Sequence, residues 1–82
     1  TSDHEAVIAS PIVGVFYTSP GPDSEPFVKV GDRIQEGQTI GIVEAMKLMN
    51  EIESDVSGVV TEVLAADGEG VEYGQPLIRV EK

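Results

Sequence analysis

An internal repeat restricts the fold of this 82-residue chain more than any other feature. Displaced by 37 positions, Gly31 falls on Gly68, Gly37 on Gly74, Gln38 on Gln75, Val43 on Val80 and Glu44 on Glu81. Asp32 meets Glu69, Ile34 meets Val71 and Ile40 meets Leu77 as conservative matches. A second displacement, of 44, lays Ile12-Val13-Gly14-Val15 on Val56-Ser57-Gly58-Val59. The displacements differ by seven, so one half carries an insertion of about seven residues between Val15 and Gly31. Two like halves point to a pseudo-twofold β-sandwich or flattened barrel.

The local signals agree. Short β-branched segments alternate with Gly, Asp and Pro punctuation. Strands are predicted near Ala6–Ala9, Gly14–Tyr17, Arg33–Ile34, Thr39–Glu44, Leu48–Glu53, Gly58–Ala65, Gly70–Val71 and Leu77–Val80. The best helix candidate, Val59 to Asp67, reads equally as a strand because Val59, Val60 and Val63 are β-branched. Phe16 and Phe27 are expected in or near the core. Under the repeat, Ala45–Leu48 is a hairpin at one end of the domain and the chain termini meet at the other.

The insertion is Thr18-Ser19-Pro20-Gly21-Pro22-Asp23-Ser24-Glu25-Pro26. Its three prolines remove backbone donors and stiffen the loop, so it is not a central strand. It is either a rigid connector or a protrusion that covers something, and Tyr17 either contacts it or is a plain surface tyrosine.

Composition excludes several function classes. The formal net charge of −10 argues against binding nucleic-acid phosphates or an anionic membrane surface. No apolar run reaches transmembrane length. There is no Cys, which removes disulfides, thiolate zinc sites and thiol catalysis. The single histidine, His4, lies near the N-terminus and offers no convincing triad. Glu51, Glu53 and Asp55 alternate as the solvated face of a strand does. A glycosidase needs a cleft that a chain this small can hardly build. Neither EF-hand spacing nor a nucleotide-binding glycine fingerprint occurs. The chain opens without Met, as a C-terminal fragment of a longer protein would.

One residue carries chemistry. Lys47 stands in Glu44-Ala45-Met46-Lys47-Leu48-Met49-Asn50, between two predicted strands. The bland reading is a solvated turn lysine with Met46 and Met49 packed in the core. Against it, turn formation alone would favour Asn-Gly or Asp-Gly at this reversal. The sharper reading is a primary amine presented at a hairpin tip, with adaptable apolar contacts beside it. A modifying enzyme reaches such an amine, and acylation removes its charge and lengthens its arm. Tethering a reactive group to a mobile domain raises its effective concentration at two separate active sites.

With these residues in view, the chain resembles the biotinyl domains of biotin carboxyl carrier subunits of bacterial and plastid acetyl-CoA carboxylases, within the biotin/lipoyl attachment family. The likeness runs from Ser10-Pro11-Ile12-Val13-Gly14-Val15-Phe16-Tyr17 through Val30-Gly31-Asp32 and Glu36-Gly37-Gln38. It peaks at Glu44 to Ile52 and closes with Ser57-Gly58 and Tyr73-Gly74-Gln75-Pro76-Leu77. Leu48 stands where the family usually has Met, a mild apolar departure. The resemblance implies an all-β domain over residues 1–82, a flattened barrel or sandwich of two four-stranded antiparallel sheets. It also implies biotin joined to Lys47, with Glu44, Ala45, Met46, Leu48 and Met49 as flanking recognition residues. Thr18 through Pro26 would be the protruding thumb of this subtype.

The implied partners are biotin protein ligase, biotin carboxylase and carboxyltransferase, in a cycle ending in malonyl-CoA for fatty acid synthesis. The domain itself would supply no catalytic group. An isolated monomer belonging to a larger multisubunit complex is expected, in the bacterial cytoplasm or plastid stroma. The rivals are a biotinyl domain of another carboxylase, a lipoyl domain, whose lysine normally follows Asp and not Met, and an inert acidic β-module.

Overall fold

The computed structural model describes residues 4–82, and the first three residues of the expected domain lie outside them. Every regular element among the described residues is a strand. In chain order these are β1 (Glu5–Ala9), β2 (Gly14–Tyr17), β3 (Arg33–Ile34), β4 (Thr39–Ala45), β5 (Leu48–Glu53), β6 (Gly58–Val63), β7 (Glu69–Val71) and β8 (Pro76–Glu81). The ambiguous stretch after Gly58 is strand as far as Val63.

The strands form two four-stranded sheets, ordered β1-β8-β6-β3 and β5-β4-β2-β7, with antiparallel pairing throughout. Strand pairs form within each sheet and not between them, so this is a sandwich and not a closed barrel. The two orders superimpose when β1 takes the place of β5, β8 of β4, β6 of β2 and β3 of β7, as the two displacements demand.

The symmetry reaches individual atoms. A Cβ built on Gly14 would lie 2.3 Å from the carbonyl oxygen of Glu44, and one on Gly58 would lie 2.3 Å from that of Glu81. Each glycine marks a crossing where a side chain would collide with backbone. The turn glycines Gly31, Gly37, Gly68 and Gly74 all have positive φ, between 80° and 97°. The buried polar side chains are Ser10 and Ser54, which do the same task in each half. The Ser10 hydroxyl donates to the Ile12 carbonyl at 2.6 Å and the Ser54 hydroxyl to the Val56 carbonyl at 2.5 Å. Their polar atoms are satisfied locally, so their burial carries little penalty.

The core lies between the sheets, where Phe16, Ile34, Val43, Leu77 and Val80 are fully buried. Burying each such side chain is worth about 1.5–3 kcal/mol. Phe27 is partly buried and packs against this cluster. At one end of the sandwich, the Lys82 N–H donates to the His4 carbonyl. The β4–β5 hairpin occupies the symmetry-related position at the other end.

Candidate functional site

Ala45 and Leu48 are the last paired residues of the hairpin, so Met46 and Lys47 alone make its loop. Both have positive φ, 52° and 66°. Two consecutive left-handed residues define a type I′ turn, whose twist matches the flanking strands. Glycine or asparagine suits such a turn far better than methionine and lysine, which incur about 1–2 kcal/mol each in this region. Local sequence preference alone does not explain that arrangement. Closure of the hairpin by the β4–β5 register forces it.

Lys47 is exposed, and neither a hydrogen bond nor an ion pair reaches it among the described residues, where the ion pair formed is Arg79–Glu62. Met46 is 93 % exposed, Leu48 67 % and Met49 56 %, so none of the three is a core residue. Glu44 and Ala45 are half-buried where β4 emerges toward the tip. Asn50 braces the hairpin from behind, its side-chain amide donating to the Val43 and Leu48 carbonyls at 3.3 and 3.2 Å.

Strand alternation puts Val43 in the core and Ile42 and Glu44 on the opposite, outer face of this sheet. Tyr17 pairs with Ile42 and shares that face. Its phenol donates to Glu44 Oε1 at 3.3 Å. Partial desolvation, then the charge and hydrogen bond of Glu44, then the charge of Asp67, push the Tyr17 phenol above its ordinary pKa.

The proline-rich segment leaves β2 here and returns on itself. The Phe27 N–H donates to the Thr18 carbonyl at 2.8 Å, closing the base of the loop. Within it, the Ser24 N–H reaches the Gly21 carbonyl at 3.1 Å, and the Ser19 hydroxyl reaches the same oxygen at 3.0 Å. Pro20, Pro22, Asp23, Ser24, Glu25 and Pro26 are exposed, whereas Thr18, Ser19 and Gly21 are half-buried. Between this loop and the outer face of the sheet lies a cavity of about 260 Å³. Tyr17, Glu44, Met49 and Asp67 form its walls opposite Ser19 to Pro22.

Two expected flanking residues, Glu44 and Met49, thus join the proline-rich loop at one cavity, while Met46 and Leu48 stand beside the tip amine. Sequence reasoning missed Asp67, which lies 49 positions from Thr18 and is brought to it by the fold. A trace was visible in the repeat. Asp67 falls on Val30, an acid replacing an apolar residue beside the matched pairs Gly31–Gly68 and Asp32–Glu69.

The arrangement suits covalent attachment of a prosthetic group. A lone exposed amine stands on a turn of defined geometry, with apolar side chains around it and a partly apolar cavity behind. Residues 6–80 match the family profile described as "Biotin-requiring enzyme". A biotin carboxyl carrier protein of acetyl-CoA carboxylase from Nostoc is 63 % identical over 92 % of this chain. The chloroplastic biotin carboxyl carrier protein of acetyl-CoA carboxylase 2 from Arabidopsis thaliana is 57 % identical over 85 % of this chain. The matched regions make up 41 % and 28 % of those relatives' own lengths.

Two solved structures share the fold. The Kluyveromyces lactis urea carboxylase aligns with 98 % of this chain at TM-score 0.78 and 28 % identity, through 6 % of its own length. A single-chain, multi-domain long-chain acyl-CoA carboxylase aligns with 100 % of this chain and 8 % of its own at TM-score 0.82, and at 18 % identity it attests the fold alone. Profile, relatives and geometry agree: this chain belongs to the biotin-requiring enzyme family.

Proposed function

We propose that the chain is the biotin carboxyl carrier domain of an acetyl-CoA carboxylase, with biotin joined as an amide to Nζ of Lys47. The observation that carries this reading is the isolated exposed amine on a strained two-residue turn. Strain at a site where glycine would relieve it points to a demand other than folding. Bound biotin supplies the nitrogen that takes up and releases a carboxyl group.

The chain's own residues do the holding. The two strands behind Lys47 fix where the arm begins, and Asn50 ties the hairpin back to β4. Met46 and Leu48 give a ligase an apolar surface on either side of the amine. The thumb and the Tyr17–Glu44–Met49 wall offer the arm a resting face next to the tip. In this reading the carboxyl-transfer chemistry belongs to partner enzymes.

Biotin protein ligase would load the domain, while biotin carboxylase and carboxyltransferase would be visited in turn, leading to malonyl-CoA for fatty acid synthesis. Relatives named as acetyl-CoA carboxylase carriers in a cyanobacterium and in chloroplasts support this choice. They also favour the bacterial cytoplasm or plastid stroma as its location.

Intact-mass measurement after incubation with biotin, MgATP and a biotin protein ligase tests the proposal. One biotin adduct is expected, and none in Lys47→Arg, whose guanidinium keeps the charge but lacks the primary amine. An adduct that persists in Lys47→Arg, or maps to Lys29 or Lys82, would overturn it.

A further inference from the structure

We propose that Asp67 is a positioning residue that holds the thumb against the cavity beside the Lys47 hairpin. The inference rests on the carrier reading above for its functional meaning, but its structural part stands on separate contacts. Asp67 Oδ1 accepts two hydrogen bonds from one thumb residue: the Thr18 N–H at 2.9 Å and the Thr18 hydroxyl at 3.2 Å. Thr18 is also the residue whose carbonyl receives the Phe27 N–H and closes the loop. One carboxylate therefore grips the hinge point of the whole insertion, and the same residue walls the cavity between thumb and sheet.

The symmetry of the fold supplies an internal control. The turn that contains Asp67 does not need its carboxylate. Glu69 Oε1 accepts from the Ala66 N–H at 2.9 Å, just as Asp32 Oδ2 accepts from the Lys29 N–H at 2.9 Å in the other half. The Glu69 N–H reaches the Ala66 carbonyl at 3.1 Å and the Asp32 N–H reaches the Lys29 carbonyl at 3.0 Å. In the other half, the place of Asp67 is taken by Val30, which is 65 % exposed, and the turn still forms.

In the sheet β1-β8-β6-β3, where β3 follows Val30, the place of Thr18 is taken by Glu62, which pairs with Arg79 at 2.7 Å and carries no insertion behind it. A carboxylate occurs at this turn position only in the sheet β5-β4-β2-β7, whose strand β2 leads into the thumb. Both bonds end on the single oxygen Oδ1, so an amide oxygen in the same place can accept them.

Three variants decide the matter. Asp67→Ala removes the acceptor, and Asp67→Asn keeps an oxygen for both Thr18 donors while removing the charge. Deletion of Ser19 through Glu25 removes the thumb. Amide hydrogen exchange is read on the biotinylated chain, and carboxyl transfer is assayed with biotin carboxylase and carboxyltransferase.

In Asp67→Ala, exchange at Thr18 and Phe27 is expected to accelerate about tenfold while the β4 and β8 amides stay protected. Transfer should fall toward the rate of the deletion variant. Asp67→Asn should restore both readouts to near the unaltered chain. An electrostatic role alone predicts instead that Asn and Ala behave alike, and that result overturns the inference. So does unchanged exchange at Thr18 and Phe27 in Asp67→Ala. If the deletion leaves transfer unaltered, the thumb's part in the carrier reading fails, while the exchange data still judge whether Asp67 holds it.

Discussion

Met46 and Lys47 occupy consecutive left-handed conformations, φ 52° and 66°, at the tip of the β4–β5 hairpin. Neither residue is suited to that region, and both are exposed. The hairpin gives up turn stability at the point where it presents an amine. Functional sites commonly retain such strain when the surrounding structure over-determines the backbone. Here the β4–β5 register and the Asn50 brace do so.

Met46→Gly should relieve the strain. Stability measured by chemical denaturation is expected to rise by about 1 kcal/mol, with no change in the denaturant slope. Because Met46 is 93 % exposed, little burial is lost in exchange. A fall in stability would show that its side chain contributes packing and would remove the argument from strain.

The paired glycine crossings should behave as equals. Gly14→Ala and Gly58→Ala each push a methyl into a backbone carbonyl at 2.3 Å, with Val43 or Val80 close behind at 2.7 and 2.8 Å. Each substitution should cost roughly 3 kcal/mol, the upper range for overpacking. Thermal or urea unfolding of the two variants is the check. A difference of more than about 1 kcal/mol between them would mean that the pseudo-twofold relation does not extend to energetics.

Tyr17 should titrate late. In a Tyr73→Phe background the remaining phenol is read by ultraviolet difference absorbance, and its midpoint is expected above the ordinary 10.0. Glu44→Gln should bring it down by removing the carboxylate that faces it. The folded state favours the neutral phenol, so this contribution is complete below the ordinary value and is lost as pH rises through the raised one. A midpoint at or below the ordinary value would break the proposed Tyr17–Glu44 contact.

The Arg79–Glu62 pair should matter little. Its members are 41 % and 52 % exposed, which leaves the pair well screened by water. Glu62→Gln is expected to shift stability by less than about 1 kcal/mol, with the difference shrinking at high salt. A larger, salt-independent loss would assign the pair a structural role.

The choice between a sandwich and a closed barrel was not legible in the sequence, but eight strands, two like halves and the hairpin at Lys47 were. The signals for them are local or repeated. β-branched runs set strands, glycines that adopt positive φ set turns, and the displaced identities relate one half to the other. The lysine motif also stood out, since Met46 and Lys47 occupy a reversal that turn chemistry alone would fill differently. The two readings of the proline-rich segment could not be separated at that level, because proline stiffens a connector and a protrusion alike.

The amino-acid order by itself determined a twice-built β scaffold and one amine at its turning point. Only tertiary structure decided that Tyr17 meets Glu44 across 27 positions and that Thr18 meets Asp67 across 49. The physical reason is that strand periodicity fixes which face a side chain takes, whereas its neighbours on that face depend on register between distant strands. Register is set by the shared core and the glycine crossings. Those long-range constraints bring the thumb, the outer face of β4 and the Lys47 hairpin to one end of the molecule.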